Sequence, residues 1–268
     1  MKVLLATGNH PRHKYLIRLL KDNGYLNALI IEKRENFIPS PPENLDNLIK
    51  EYFLTHFEKR DQAEVEVFDL KINEIESESV NCLEILPGEI NNQNTIDFIS
   101  KNQPDILITF GIGILHHNFL SVAPKEIWNI HGGLSPWYKG AITHFWPSYH
   151  LEPQFTGCTI HYINSKIDAG AIIHQTPAVL EYNDGLHQLS CKSLKTALQA
   201  ILPLLRLIKN SNSIKAFNQK STGKLWLKKD WTPHHLKLIY ELYEDKIVNA
   251  YLDGELVQSK PQLIQQKI

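Results

Sequence analysis

The chain opens on a short apolar run, residues 2–7, closed by Gly8, and a run of that length next to a breaker predicts a buried strand. Pro11 follows where a helix can start, because a proline in the first turn loses no hydrogen bond. Tyr15, Leu16, Leu19 and Leu20 recur at helical spacing, and Gly24 supplies a stop. A second apolar run covers residues 28–31. Strand, helix and strand in this order predict a right-handed βαβ unit and a parallel sheet. Pro39, Pro41 and Pro42 interrupt the pattern, after which Leu45, Leu48, Ile49, Tyr52 and Phe53 mark one or two surface helices in a charged stretch. Further strands are expected at 80–85, 105–110 and 126–130, with a helix around 95–100, and another pair at 159–163 and 171–175.

Residues 184–208 read as a long amphipathic helix, interrupted near Pro203. Asn210 to Ser213 is polar and reads as a linker. Beyond it lie a short apolar run at 225–227, a helix at 233–242 and a hairpin around Asp253-Gly254, a dipeptide that favours tight turns. The expected fold is α/β: a Rossmann-like, mainly parallel sheet flanked by helices, with a small α+β C-terminal appendage. The expected division is residues 1–210 for the catalytic domain and 211–268 for the appendage, which would support a homodimer or cap a binding pocket.

Charge and cysteine content narrow the partners. The formal net charge is -1, so nothing draws the whole chain to a polyanion, and no nucleic-acid partner is expected. Cys82, Cys158 and Cys191 are odd in number and far apart, which fits a reducing compartment better than a disulfide framework. No stretch approaches the roughly 20 apolar residues of a membrane span, and the first residues are too short an apolar run for a signal peptide. A cytoplasmic location is expected.

The chemistry concentrates between Phe110 and Gln175. Asn129 and His131 stand two apart at the end of a predicted strand, so both side chains point to one face at the carboxyl end of the sheet. Asp168 follows in a loop ending in Gly170. An amide that donates to a developing oxyanion, an imidazole that moves a proton near neutral pH and a carboxylate that steadies the imidazolium together suit acyl transfer to an amine. Other readings stay open: a structural hydrogen-bonded pair for Asn129 and His131, a turn residue for Asp168 and a tight turn for Gly111 to Gly113. Arg12 and His13 also read as solvated helix-face residues. The adjacent pairs His116-His117 and His234-His235 lack metal-ligand spacing, and no metal is expected. Cys158 reads as a buried thiol rather than a nucleophile.

Asn-x-His, then Leu-x-Pro-x-x-x-Gly (Leu134, Pro136, Gly140), then Asp168-x-Gly170 resembles the folate-dependent formyltransferase family. That family includes glycinamide ribonucleotide transformylase, methionyl-tRNA formyltransferase, formyltetrahydrofolate hydrolase and the sugar N-formyltransferases. The resemblance implies 10-formyltetrahydrofolate as co-substrate and Asn129, His131 and Asp168 as catalytic residues. It also implies a folate site along Phe110, Gly111, Ile112, Gly113, Ile114 and Leu115, where glycines let backbone approach a flat ring. Gly8, Asn9, His10 and Arg12 fall where members contact the acceptor, and a helix start with Arg12 suits an anion. One departure is Gly133, where members often carry Ser two places after the histidine.

The implied activity is transfer of the formyl group to an amine of a small molecule, foremost a nucleotide-linked amino sugar. Glycinamide ribonucleotide, hydroxyornithine and methionyl-tRNA are the other acceptors. A formyltetrahydrofolate hydrolase and a non-catalytic folate- or nucleotide-binding module are the alternatives; the hydrolase is disfavoured by a chain that begins at the first strand.

Overall fold

The computed structural model describes every residue except 34–38, 69–79, 165, 212 and 221–222. Among the described residues one seven-stranded sheet forms the centre, in the order β3-β2-β1-β4-β5-β7-β8. Strands β1 (Val3–Thr7), β2 (Leu26–Glu32), β3 (Asn81–Ile85), β4 (Ile106–Phe110) and β5 (Glu126–His131) run parallel. A two-residue strand, β6 (Lys139–Gly140), follows outside this sheet, and β7 (Gly157–Tyr162) and β8 (Ile172–Pro177) then add to it antiparallel. The expected mainly parallel sheet is therefore present.

Its central strands β1 and β4 are buried along their length because helices cover both faces, and alternate residues serve opposite sides. Val3 and Leu5 join one core with Leu16, Ile17 and Leu20 of α1 (Pro11–Asp22) and with Leu194, Leu198 and Ile201 of the long helix Leu186–Ser211. Leu4 and Ala6 face the other way, toward Ile99 of α3 (Gln93–Asn102) and Phe119 of α4 (His117–Leu120).

The charged stretch after the prolines is one helix, α2 (Asn47–Phe68), which buries Ile49, Phe53, His56, Ala63, Glu64 and Phe68. Helix α5 (Trp146–Tyr149) is short. Helix α6 (Leu186–Ser211) passes through Pro203 without a break. Burial of Leu198, Ile201, Leu204, Leu205 and Ile208 on both sides of the proline outweighs the one backbone bond that Pro203 cannot make. The helix also runs through Asn210 and Ser211, where a linker was expected.

The C-terminal region departs from the sequence reading in detail. Strand β9 (Leu225–Trp226) pairs in parallel with β6. The segment after it is a 3-10 turn at Pro233–His235 and a π turn at Leu238–Leu242 rather than one regular helix. Asp253-Gly254 does not turn a hairpin. It ends α7 (Ile247–Leu252), where Gly254 adopts φ +82°, the left-handed conformation that a helix terminus needs as much as a hairpin does. This region shares a core with the rest: Trp226, Leu236, Ile239 and Ile247 pack with Phe53, Phe145, Trp146 and Leu186. Asp245 ties the pieces electrostatically, accepting from the Leu186 N–H at the start of α6 and pairing with Lys59 of α2 at 2.8 Å. Among the described residues no helix is long and apolar enough to cross a membrane.

Candidate active site

The strand order reverses between β1 and β4, and open α/β sheets bind ligands beyond the carboxyl ends of strands at such a point. A cavity of about 680 Å³ lies there. Its walls come from the segment after β4, the ends of β5 and β7, the loop that follows β6, and the facing sides of α2 and α6.

Strand pairing brings the site together. Asn129 stands opposite Thr109 on β4 and His161 on β7. The Thr109 hydroxyl donates to Asn129 Oδ1 at 2.9 Å, which fixes the amide with its nitrogen outward. Asn129 Nδ2 then donates to Asp168 Oδ1 at 3.4 Å and lies 3.2 Å from His161 Nε2. That His161 nitrogen is also 3.4 Å from Asp168 Oδ1, while Nδ1 is 2.8 Å from the Tyr162 carbonyl.

His131 has one ring nitrogen on a carbonyl and the other on a carboxylate. Both neighbours can only accept, and the Tyr138 carbonyl, 2.8 Å from Nε2, is the nearer, so the neutral ring keeps its proton on that nitrogen. Nδ1 is left as the basic nitrogen, 3.3 Å from Asp168 Oδ2. Burial lowers the His131 pKa, with Asp168 opposing, so the ring is a proton acceptor at neutral pH. A proton taken up at Nδ1 is met at once by the carboxylate.

Asp168 stays ionised. Burial pushes its pKa up, but His131, His161 and the Gly140 N–H, which donates at 2.8 Å, bring it down to about 2. Asp168 sits at φ +46°. Gly170 lets its loop lie against β7, for a Cβ there would stand 1.6 Å from the Tyr162 carbonyl oxygen.

The folate segment expected from sequence, Phe110 to Leu115, lines this same cavity. Gly111, at φ +67°, lies on the His13 ring so closely that a Cβ would approach it to 2.7 Å. Ile112 and Leu115 give an apolar edge beside Gly113, whose N–H donates to Glu32, and such an edge suits a flat ring. From the first loop only Arg12 reaches the cavity wall, where it is paired with Glu64 of α2. Gly8, Asn9 and His10 do not line it; the His10 carbonyl receives the N–H groups of His13 and Lys14 at the start of α1. His13 is buried instead of solvated, with Nδ1 2.7 Å from Thr7 Oγ1 and its ring 4.4 Å from Phe110.

Residues 57–205 match the model of the formyl transferase family, more than half of the chain. The chain belongs to the formyl transferase family. A bifunctional polymyxin resistance protein ArnA from Wigglesworthia glossinidia brevipalpis is 33% identical over 123 residues, covering 44% of this chain and 19% of that protein. The chain thus spans about a fifth of that relative's length. A sugar N-formyltransferase from Shewanella sp FDAARGOS_354 shares the fold at TM-score 0.57 and 15% identity, over 89% of this chain and 87% of that one. A phosphoribosylglycinamide formyltransferase from Anaplasma phagocytophilum does so at 0.56 and 16%, over 85% and 98%. PseJ from Anoxybacillus kamchatkensis, solved with UDP-4,6-dideoxy-4-formamido-L-AltNAc and tetrahydrofolate, gives 0.50 and 18%, over 92% and 96%.

For this family member the glycine at position 133 has a local reason. A Cβ at Gly133 would lie 2.6 Å from the Tyr138 carbonyl oxygen and 2.7 Å from His131 Nε2. Its absence is what lets that carbonyl reach the imidazole. Two site residues escaped the sequence reading. His161 lies two places after Thr159 on an ordinary strand, and only the β5–β7 register reveals its meeting with Asn129. His144 is half-buried over Gly132, its Nε2 3.1 Å from the Gly157 carbonyl, and desolvation lowers its pKa to about 4. Among the described residues no three His, Cys, Asp or Glu side chains are placed to hold a metal ion.

The α2–α6 wall carries a buried histidine pair. His56 Nδ1 lies 3.2 Å from His187 Nε2 and 3.0 Å from the Tyr240 hydroxyl. Burial, with Arg60 adding, lowers the His56 pKa from 6.5 to about 3. The unfolded chain therefore takes up a proton below pH 6.5 that the folded chain refuses. Stability is full above that pH and falls by about 1.4 kcal/mol per pH unit as pH drops toward 3. Melting temperatures between pH 7 and 4.5 should fall more steeply for the native chain than for His56→Gln; parallel slopes would remove His56 as the cause.

Proposed function

We propose that this chain transfers the formyl group of 10-formyltetrahydrofolate to an amine of a small molecule, foremost a nucleotide-linked amino sugar. The observation that carries this reading is the meeting of Asn129, His131 and Asp168 in the wall of one cavity, next to the Phe110–Leu115 segment. Folate would lie along that segment, with its formyl carbon toward the three polar side chains. The acceptor amine attacks that carbon, so no nucleophile from the protein is required. His131 Nδ1 takes the proton that the amine sheds, Asp168 stabilises the imidazolium, and the imidazolium returns that proton to the folate nitrogen as its bond to the formyl carbon breaks and tetrahydrofolate leaves. The Asn129 amide, oriented by Thr109, turns from Asp168 to the developing oxyanion.

Family membership supports formyl transfer, and the sugar N-formyltransferases of the same fold support the acceptor class. Lys228 and Trp231 of the C-terminal region line the cavity, which supports a part for that region in holding the acceptor.

The test is tetrahydrofolate release from 10-formyltetrahydrofolate, followed by absorbance, with nucleotide-linked amino sugars, glycinamide ribonucleotide and hydroxyornithine. Release that depends on an amino sugar is the expected result. Equal release without any acceptor would mean hydrolysis, and release with another amine only would reassign the acceptor. His131→Ala should slow turnover by about a hundredfold or more; unchanged turnover would remove His131 from the proton path.

A further inference from the structure

The formyl-transfer chemistry leaves Glu64 unused. It sits on α2, 3% exposed, in the wall of the same cavity. Arg12 takes its Oε1, whereas Oε2, equally buried, has no hydrogen-bond partner in the protein. A carboxylate oxygen buried without a donor is costly, and native structures rarely keep one without a use.

Ser190 and the histidine pair, which line the same wall, are engaged with other partners. The Ser190 hydroxyl donates to the Leu186 carbonyl, and the His56–His187 pair engages itself and Tyr240. Arg60, which also lines this wall, has its charge set against that of Arg12 and with that of Glu64. Arg12 therefore anchors the carboxylate from one side, and its second oxygen stays buried in the cavity wall without a donor.

We propose that the missing donor is a hydroxyl group of the acceptor. Glu64 thereby selects an amine carried on a hydroxylated ring over a plain alkyl amine. The inference rests on the reading that an amine is formylated in this cavity. Arg12 acts as a positioning residue, because its ion pair fixes which carboxylate oxygen faces the ligand. A carboxylate suits a hydroxyl because it only accepts, and a charged acceptor makes the stronger bond. A site built around such a bond rejects the analogue that lacks the hydroxyl, since the buried oxygen is then left without a donor.

The experiment pairs protein and acceptor changes. Nucleotide-linked amino sugars and their deoxy analogues, one ring hydroxyl removed at a time, are assayed by tetrahydrofolate release with native protein, Glu64→Gln and Glu64→Ala. Each variant is first shown to bind tetrahydrofolate. For one hydroxyl position, loss of the hydroxyl or of the carboxylate should each lower kcat/KM at least about tenfold, chiefly through KM. Losing both should cost little more than losing either. Glu64→Gln, which keeps an accepting oxygen, should recover part of the loss. Effects that multiply independently at every hydroxyl position would overturn the assignment, as would a Glu64→Ala variant that uses all acceptors at native rates. Native protein that releases tetrahydrofolate with none of the amino sugars would instead overturn the underlying acceptor reading, and this assignment with it.

Discussion

Asp168→Asn should lower kcat/KM about a thousandfold while leaving the protein folded. The carboxylate meets four groups at once: His131 Nδ1 at 3.3 Å, the Gly140 N–H at 2.8 Å, the Asn129 amide at 3.4 Å and His161 Nε2 at 3.4 Å. An asparagine keeps the size and one accepting oxygen, so the Gly140 contact can survive. What it removes is the negative charge that stabilises a protonated His131. The pH profile separates the two effects. Asp168, with a pKa near 2, is ionised across the working range, so the acid limb of the native profile reports His131. Removing the carboxylate makes His131 harder to protonate, because Asp168 is the main influence raising its pKa. The acid limb should then move to lower pH while the plateau drops. A variant that retained turnover within about tenfold and kept the native acid limb would take Asp168 out of the proton path.

Gly140→Ala should damage both stability and turnover. Gly140 has φ +93°, and a Cβ there would lie 2.1 Å from the Trp226 carbonyl oxygen. That carbonyl accepts from the N–H of Ala141, and β6 pairs with β9 at this place, so the backbone cannot simply move aside. Trp226 is itself held, stacked on Trp146 at 4.1 Å. The loop must shift, and the Gly140 N–H loses Asp168. A stability loss of about 3 kcal/mol is expected from the conformation and the clash together, with turnover down at least about a hundredfold. Gly24→Ala provides the control. Gly24 has φ +70°, but nothing lies within 4 Å of a Cβ there, so only the conformational cost of about 1 kcal/mol applies and turnover is kept. Denaturant midpoints and kcat measured on both variants give the comparison; equal losses would show that the close approach to Trp226 is not the cause.

Both predictions depend on contacts between distant parts of the chain, and this sets the limit of what the linear pattern reveals. The continuous apolar runs at β1, β2 and β4 have no polar face, so they belong in a sheet covered on both sides, and the helical spacing after Pro11 supplies one of the covers. Strand periodicity likewise put Asn129 and His131 on one face, since residues two apart must share it. The same local rules failed where one residue type serves two structures. Asp-Gly favours any positive-φ turn, and only the packing of Ile247, Val248 and Tyr251 made it a helix end. Pro203 weakens a helix, and only the buried stripe around it carried α6 through.

By itself, then, the sequence determined the sheet-and-helix plan and the positions of Asn129, His131 and Asp168, because strand alternation and loop glycines are local consequences of residue type. Tertiary structure alone decided how they work together. The β5–β7 register brought His161 to Asn129, the close approach of Tyr138 at Gly133 chose the basic nitrogen of His131, and the packing of α2 against α6 buried Glu64 in the cavity wall. Each is a contact between residues far apart or out of periodic phase in the chain, and such contacts are fixed by packing the whole, to which short-range preference is blind.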